Sequence, residues 1–354
     1  MGGEAMRGVT FLGDRALEIG EFPEPTPGPG EVVLEIKASG MCGSDLKFYR
    51  APHGTGAQDL GLGGDGEPVI AGHEPCGVVA AVGPGVGAAE AVPGQRVIVH
   101  HYAGCGVCGH CRTGWPQLCR DGFVVYGVTA HGAHAPYMGV PARTLVPLSD
   151  GLSFEVGAAI ACGTGTAFNA LRRLRLSGRD TIAIFGQGPV GLSATQLAKA
   201  MGARVLALDV EPARLARAGE FGADTTIDPA ADDPVAALKD LTHGEGVDLA
   251  LDCSGAAEAR LAAVRASRTW GTVCFVGEGG TVTLDVSQDL IRKQLTVIAS
   301  WTFSAVGQAD CARFVVDRGI PVDRLFTHRF ALDQAAEAYR LFDTQTTGKG
   351  VFVF

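Results

Sequence analysis

The sequence predicts an α/β protein of two domains, a small β-rich one and a doubly wound parallel sheet with helices on both faces. Three observations carry that reading. The chain has 354 residues, against ~100–200 for an ordinary domain. Its character changes near residue 150, from short β-like runs split by Pro and Gly clusters to apolar strands alternating with amphipathic helices. Finally, 46% of residues are hydrophobic and 19% charged, which excludes a disordered chain and allows a large core.

In the first part, EVVLEIKAS, PCGVVAAVG and QRVIVHHY are β-like, and clusters such as PEPTPGPGE mark long loops between them. From about 155 the alternation begins with TIAIFG, a buried strand, and VGLSATQLAKAMG, a helix ended by Gly202. RVLALD is a strand, PARLARAGEFG a helix, TTID a strand, and the region near PVAALKDLT a helix. The strand VDLALDCSG, the helix EARLAAVRAS and the strand GTVCFVG close the series. Such alternation signals a parallel sheet covered on both faces. After about 295 come LTVIASWTF, a helix around QADCARFVVDRG and the helix DQAAEAYRLFD. No repeat or low-complexity tract interrupts the chain.

Charge narrows the partners. Lys plus Arg, 29, against Asp plus Glu, 38, gives a net charge of −9, so nucleic acid and anionic membrane surfaces are not expected. No apolar run reaches the ~18 residues of a membrane span. The opening MGGEAMRGVTFLGD has no apolar core before a small-residue cleavage site, which points to a cytoplasmic protein. Gly, at 51 residues, clusters at turns between the β-rich runs. Ten Cys in a reducing compartment raise metal binding or catalysis first.

Gly186-Gln187-Gly188-Pro189-Val190-Gly191 follows the strand TIAIF and opens a helix. A lone GxGxxG is weak in a glycine-rich chain, and an ordinary strand–helix turn is the plainer reading. Against it stands a second strand ending in Asp209, 21 positions beyond Gly188, near the ~20 expected for a ribose contact. Gly186 permits the tight turn, Gly188 the approach of a pyrophosphate, and Gly191 close helix–strand packing. The helix N-terminus supplies unpaired N–H groups. Asp209 accepts bonds from a 2′-hydroxyl and repels a 2′-phosphate, so NAD is expected over NADP, with nearby Arg214 pulling the other way.

Cys105-x2-Cys108-x2-Cys111-x7-Cys119 supplies four thiolates and no spare position, which suits tetrahedral zinc in a closed structural site. An iron–sulfur cluster uses the same ligands. A second constellation is dispersed: Cys42 in GMCGSD, His73-Glu74 in AGHEPCG and Cys162 in IACGTGTAF. Any one of these alone is more often structural. Cys76, Cys253, Cys274 and Cys311 are expected to be core residues.

Together these motifs resemble the zinc-dependent medium-chain alcohol dehydrogenase family, from PGPGEVVLEIKASGMCGSDLK to GKGVFVF, in the family's own order. The resemblance implies a GroES-like catalytic domain formed by 1–154 and 296–354, with a Rossmann domain of 155–295 inserted between them. It implies two zinc ions per chain. Cys42, His73 and Cys162 hold the catalytic one, with Glu74 as a direct or alternate ligand and Asp45 orienting His73. Ser44 begins a proton relay between the alcohol oxygen and the cofactor ribose, and Thr166 joins the fingerprint as a cofactor contact. Many relatives have His three residues after that Ser; this chain has Lys47, so Lys47, His53 or water ends the relay.

Phe48, Tyr49, Trp115 and Trp301 are candidate pocket walls. The stretch Ser300-Trp301-Thr302-Phe303-Ser304 is uncharged where some polyol-active relatives carry Arg, and several of those place Glu where Cys162 stands. A less polar pocket follows. The implied reaction is hydride transfer between an alcohol or its ketone, most simply a secondary alcohol, and NAD, with zinc as Lewis acid. Threonine 3-dehydrogenase and sorbitol-type polyol dehydrogenase are alternatives within the family; a non-catalytic zinc- and nucleotide-binding redox sensor is the alternative outside it. A homotetramer is the expected assembly, with a dimer second.

Overall fold

The computed structural model describes residues 5–55, 57, 67–346 and 348–354. They belong to two compact units, one comprising Met1–Cys162, Ser304–Gln345 and Lys349–Phe354, the other Gly163–Phe303 with Thr346–Gly348.

The first unit opens with a hairpin of β1 (Ala5–Gly13) and β2 (Ala16–Pro23). Then come β3 (Glu31–Gly40), α1 (Asp45–Arg50), β4 (Pro75–Val82), β5 (Arg96–Val99) and β6 (Tyr102–Ala103). After these follow α2 (Gly109–Arg112), β7 (Val124–Val125), β8 (Tyr137–Pro141), β9 (Leu145–Pro147) and α3 (Phe154–Ile160). In the second unit, α4 (Gly163–Arg173), β10 (Thr181–Phe185), α5 (Pro189–Ala200), β11 (Arg204–Leu208) and α6 (Pro212–Glu220) lead into β12 (Thr225–Ile227). It continues through α7 (Pro234–Asp240), β13 (Val247–Asp252), α8 (Ala257–Ala266), β14 (Ser267–Phe275) and β15 (Thr296–Ala299). The chain then returns to the first unit with α9 (Ala305–Arg318), β16 (Phe326–Phe330), α10 (Ala335–Asp343) and β17 (Lys349–Val353).

The first unit is built on a mixed sheet in the order β16-β17-β3-β4-β5-β9, with β8 beside β3. Alternation along β3 sends Val32, Leu34 and Ile36 into a core with Val79, Val97 and Met138. A second core gathers Val9, Met41, Tyr49, Tyr339 and Phe352, so α1, β17 and α10 are fastened to one another by apolar burial.

The second unit is a parallel sheet in the order β12-β11-β10-β13-β14-β15. Its central strand β10 is buried on both faces, which is why TIAIF reads as a continuous apolar run. Asp233 starts α7 by accepting from the N–H groups of Val235 and Ala236, and left-handed Gly319 (φ +60°) ends α9 in the first unit.

Both boundaries lie later than the 154/155 and 295/296 junctions drawn from the sequence. Helix α3 packs on β3 and β4, which keeps it in the first unit. Residues from 296 do not begin the return segment, because β15 pairs with β14 from Thr272↔Thr296 to Phe275↔Ala299. Among the described residues, no helix is long and apolar enough to cross a membrane.

Candidate active site and metal centres

The fingerprint turn joins β10 to α5. Gly186 has φ +86°, and a Cβ on Gly191 would lie 1.8 Å from the Gly186 carbonyl oxygen, so neither position admits a side chain. Gly188 differs: a Cβ there would meet nothing within 4 Å. It is the N-cap of α5 and gives the first turn no side-chain cap, leaving open space in front of unpaired N–H groups, with Pro189 and Val190 behind it. These features fit a pyrophosphate. Asp209, just past β11, is buried; its Oδ2 accepts from Gln187 N–H at 2.5 Å and its Oδ1 from Glu211 N–H at 2.9 Å. Arg214 Nη1 stands 3.7 Å from Oδ2. A carboxylate has about four lone-pair sites, so acceptor capacity remains after two amides. Thr166 is buried in α4, whose Thr164 Oγ1 lies 3.0 Å from Ser193 Oγ on α5.

Between β6 and β7, the sulfurs of Cys105, Cys108, Cys111 and Cys119 lie within 4.8 Å of one another. Two are met by backbone donors, Cys105 N–H to Cys119 Sγ and Cys108 N–H to Cys105 Sγ, both 3.3 Å. Backbone amides hold the Cys108 thiol down, to about 6, as thiolate ligation requires. A Cβ on Gly104 would come 2.7 Å from Cys111 Sγ, so the lobe closes tightly around its sulfurs. Four clustered sulfurs fit a closed zinc site.

The ligand atoms of Cys42, His73 and Cys162 also lie within 4.8 Å of one another. Cys42 sits in the turn from β3 to α1, His73 just before β4, and Cys162 just after α3. His73 Nδ1 pairs with Asp45 Oδ1 at 2.9 Å, which leaves Nε2 as the ligand atom. Asp45 Oδ2 accepts the N–H of Cys42 at 2.8 Å. The Cys162 thiol, 3.7 Å from Cys42, together with His73 holds Cys42 well below the usual thiol range. Burial alone would lower His73, but Asp45 and Cys42 raise it well above its ordinary value. Two thiols and an imidazole, one donor short of a tetrahedron, fit zinc in an open site. Ser44 Oγ stands beside this set, 3.2 Å from Cys42 Sγ and 3.0 Å from His73 Nε2.

Comparison with known proteins agrees with the site. Residues 189–318 match the zinc-binding dehydrogenase family model and residues 28–150 that of the alcohol dehydrogenase GroES-like domain. The chain belongs to the zinc-binding medium-chain alcohol dehydrogenase family. An uncharacterized zinc-type alcohol dehydrogenase-like protein of Escherichia coli is 39% identical over 99% of both chains. The L-threonine 3-dehydrogenase of Pyrococcus horikoshii is 32% identical over 95% of this chain and 94% of its own length. Among solved structures, the alcohol dehydrogenase of Thermus sp. ATN1 superposes with a TM-score of 0.88 at 29% identity, covering 98% of this chain and 99% of its own. The two units are accordingly a GroES-like domain and a Rossmann domain. The chemistry is that of an NAD(P)-linked alcohol oxidoreductase.

The other expected site residues have the following surroundings. Glu74 is outside the Cys42, His73 and Cys162 cluster: fully buried, it pairs with Lys349 Nζ at 2.5 Å and packs against Gly40, where a Cβ would collide with its carboxylate. Lys349 also donates to the Met41 carbonyl at 2.8 Å. Burial lifts the Glu74 carboxyl, to about 8, against the pull of Lys349. Tyr49 is a buried core residue whose ring packs on Phe11 and Tyr339. Phe48, one position earlier on the same short helix, is half-buried. Trp115 belongs to the four-Cys lobe, its N–H bonded to the His110 carbonyl at 2.9 Å. Trp301 is 40% exposed in the Rossmann unit. Lys47 and His53 are exposed, and the His53 N–H donates to Asp14 at 3.2 Å.

Sequence reasoning missed Lys349, Tyr339, His134 and His101. The His101 ring lies 5.2 Å from that of His73, and its Nδ1 donates to the Ala161 carbonyl at 2.9 Å, while burial keeps it neutral. The two histidines that follow the apolar run RVIV were the available signal for it, since a buried polar residue needs a reason.

Proposed function

We propose that this chain is a zinc-dependent alcohol dehydrogenase and ketone reductase that exchanges hydride between a secondary alcohol and NAD, with one open and one closed zinc site. The observation that carries the reading is Ser44, whose hydroxyl reaches both Cys42 and His73 within 3.2 Å. Bound at Cys42, His73 and Cys162, zinc supplies Lewis-acid polarisation of the alcohol oxygen. The rest falls to the chain's own side chains. Asp45 fixes the ring of His73, and Ser44 Oγ takes the alcohol proton and passes it outward to Lys47, His53 or water. Asp209, with acceptor sites left over, bonds the ribose hydroxyls of NAD. The α5 N-terminus receives the pyrophosphate, and hydride transfer itself is the cofactor's chemistry. From the family resemblance, the assembly is a homotetramer.

The full-length likeness to L-threonine 3-dehydrogenase favours an amino-alcohol substrate as the second reading. A thiol rather than a carboxylate at Cys162 argues against a polyol. The test is absorbance of reduced nicotinamide in zinc-loaded protein given NAD and a panel of secondary alcohols, threonine and polyols. Turnover of threonine alone would select the second reading. Silence across the panel would refute the enzyme and favour a nucleotide-binding sensor.

A further inference from the structure

Behind Asp45 runs a line of buried hydrogen bonds that no motif announces. Tyr339 on α10 donates its phenol to Asp45 Oδ2 at 3.0 Å. His134 Nε2 lies 2.6 Å from the same phenol oxygen, and His134 Nδ1 lies 2.8 Å from Ser39 Oγ on β3. Ser39, His134 and Tyr339 are fully buried and Asp45 nearly so, which shields the line from water.

The proton positions follow from what each group can do. The single phenol proton goes to Asp45, so His134 Nε2 must carry the hydrogen that Tyr339 accepts. His134 Nδ1 is then an acceptor, and Ser39 donates to it. Every donor points the same way, from Ser39 through His134 and Tyr339 to Asp45. There Oδ2 also takes the Cys42 N–H, leaving Oδ1 for His73. Burial holds His134 down to about 4, so the ring carries one proton and only one tautomer satisfies both neighbours.

We propose that Tyr339 and His134 are positioning residues of the catalytic metal site, fixing the Asp45 carboxylate so that His73 presents Nε2 to the metal. The inference rests on Cys42, His73 and Cys162 being that site. Losing a partner behind a metal-bound imidazole typically costs ~10–100-fold in metal affinity. Tyr339→Phe keeps the ring that packs on Phe11 and removes only the hydroxyl.

The test is chelator competition on the full-length protein loaded with Zn²⁺, together with the absorption spectrum of the Co²⁺-substituted protein; Asp45→Asn serves as reference and melting temperature is followed throughout. Tyr339→Phe is expected to bind the metal of the Cys42 set about tenfold more weakly and to shift the cobalt bands. The four-Cys metal should hold as in wild type, giving an internal control. Wild-type affinity and spectrum in folded Tyr339→Phe, with Asp45→Asn impaired, would overturn the proposal and leave the metal assignment standing. A wild-type protein that binds no metal at the Cys42 set would overturn both. Should Tyr339→Phe fail to fold, Ser39→Ala carries the comparison: a several-fold loss of affinity supports the proposal and wild-type affinity refutes it.

Discussion

Replacing Asp209 by Asn tests how the Rossmann unit chooses its cofactor. Its carboxylate is buried beside the fingerprint turn and therefore poorly screened. Two like unit charges about 5 Å apart at an effective dielectric of about 20 repel by about 3 kcal/mol, or on the order of 10²-fold in selectivity. Asn removes that repulsion, and Arg214, 3.7 Å from the carboxylate, loses its ion-pair partner and can meet a 2′-phosphate. The change also has a structural cost, because Asp209 accepts from two backbone amides. A hydrogen bond to a charged group contributes ~1.5–3 kcal/mol, so Asn, which keeps one acceptor oxygen, should lose about 2 kcal/mol of stability and Ala about twice that. The assay is kcat/KM with NAD and with NADP for wild type, Asp209→Asn and Asp209→Asn/Arg214→Ala, alongside denaturant melts. The NADP-to-NAD ratio should rise about 10²-fold in the single variant and by less in the double, which also lacks the Arg214 cation. A ratio that does not move, or a wild type that already prefers NADP, would refute the role given to Asp209.

Four further outcomes are expected. Metal analysis should find two zinc ions per chain, the Cys42 set yielding its ion to a mild chelator before the four-Cys lobe; one zinc in fully active protein would contradict this. Ser44→Ala should keep both metals and cut turnover by about 10²–10⁴-fold. Cys111→Ser should chiefly lower the melting temperature, and a stable but dead Cys111→Ser protein would mean the two sites are assigned the wrong way round. His100 and His134 are each held at about 4 by burial, so the unfolded chain binds more protons between there and ~6.5. Stability should therefore be lost as pH is lowered through that window, by about 1.4 kcal/mol per unit for each; denaturant melts from pH 7.5 to 4.5 check it, and a flat profile would refute it.

What the sequence made legible is what depends on local spacing. The four-Cys lobe spans fifteen positions, and the fingerprint six, so their geometry is written in their own segments. The Cys42, His73 and Cys162 set was reachable only because each member sits in a recognisable motif. The residues that support that set have no such signal. Tyr339 meets Asp45 across 294 positions and Lys349 meets Met41 across 308, through a sheet order that spacing does not encode. Phe48 and Tyr49 look alike in sequence, but adjacent helix positions point about 100° apart, and only Tyr49 faces the core. The junctions were misplaced for a related reason: whether α3 or β15 belongs to one unit or the other depends on its packing partner.

The placement of β17 beside β3 has a consequence for biosynthesis. A ribosome adds ~5–20 residues per second, so the 308 positions between Met41 and Lys349 take roughly 15–60 s to appear. During that interval the Ala38–Gly40 stretch of β3 lacks its neighbour, Glu74 has no cation, and Asp45 waits for the Tyr339 phenol. The four cysteines of the lobe emerge together and can take up metal on the nascent chain. The four sulfurs of the lobe thus lie within fifteen positions of one another, whereas the partners of Asp45 and Glu74 are made only with Tyr339 and Lys349.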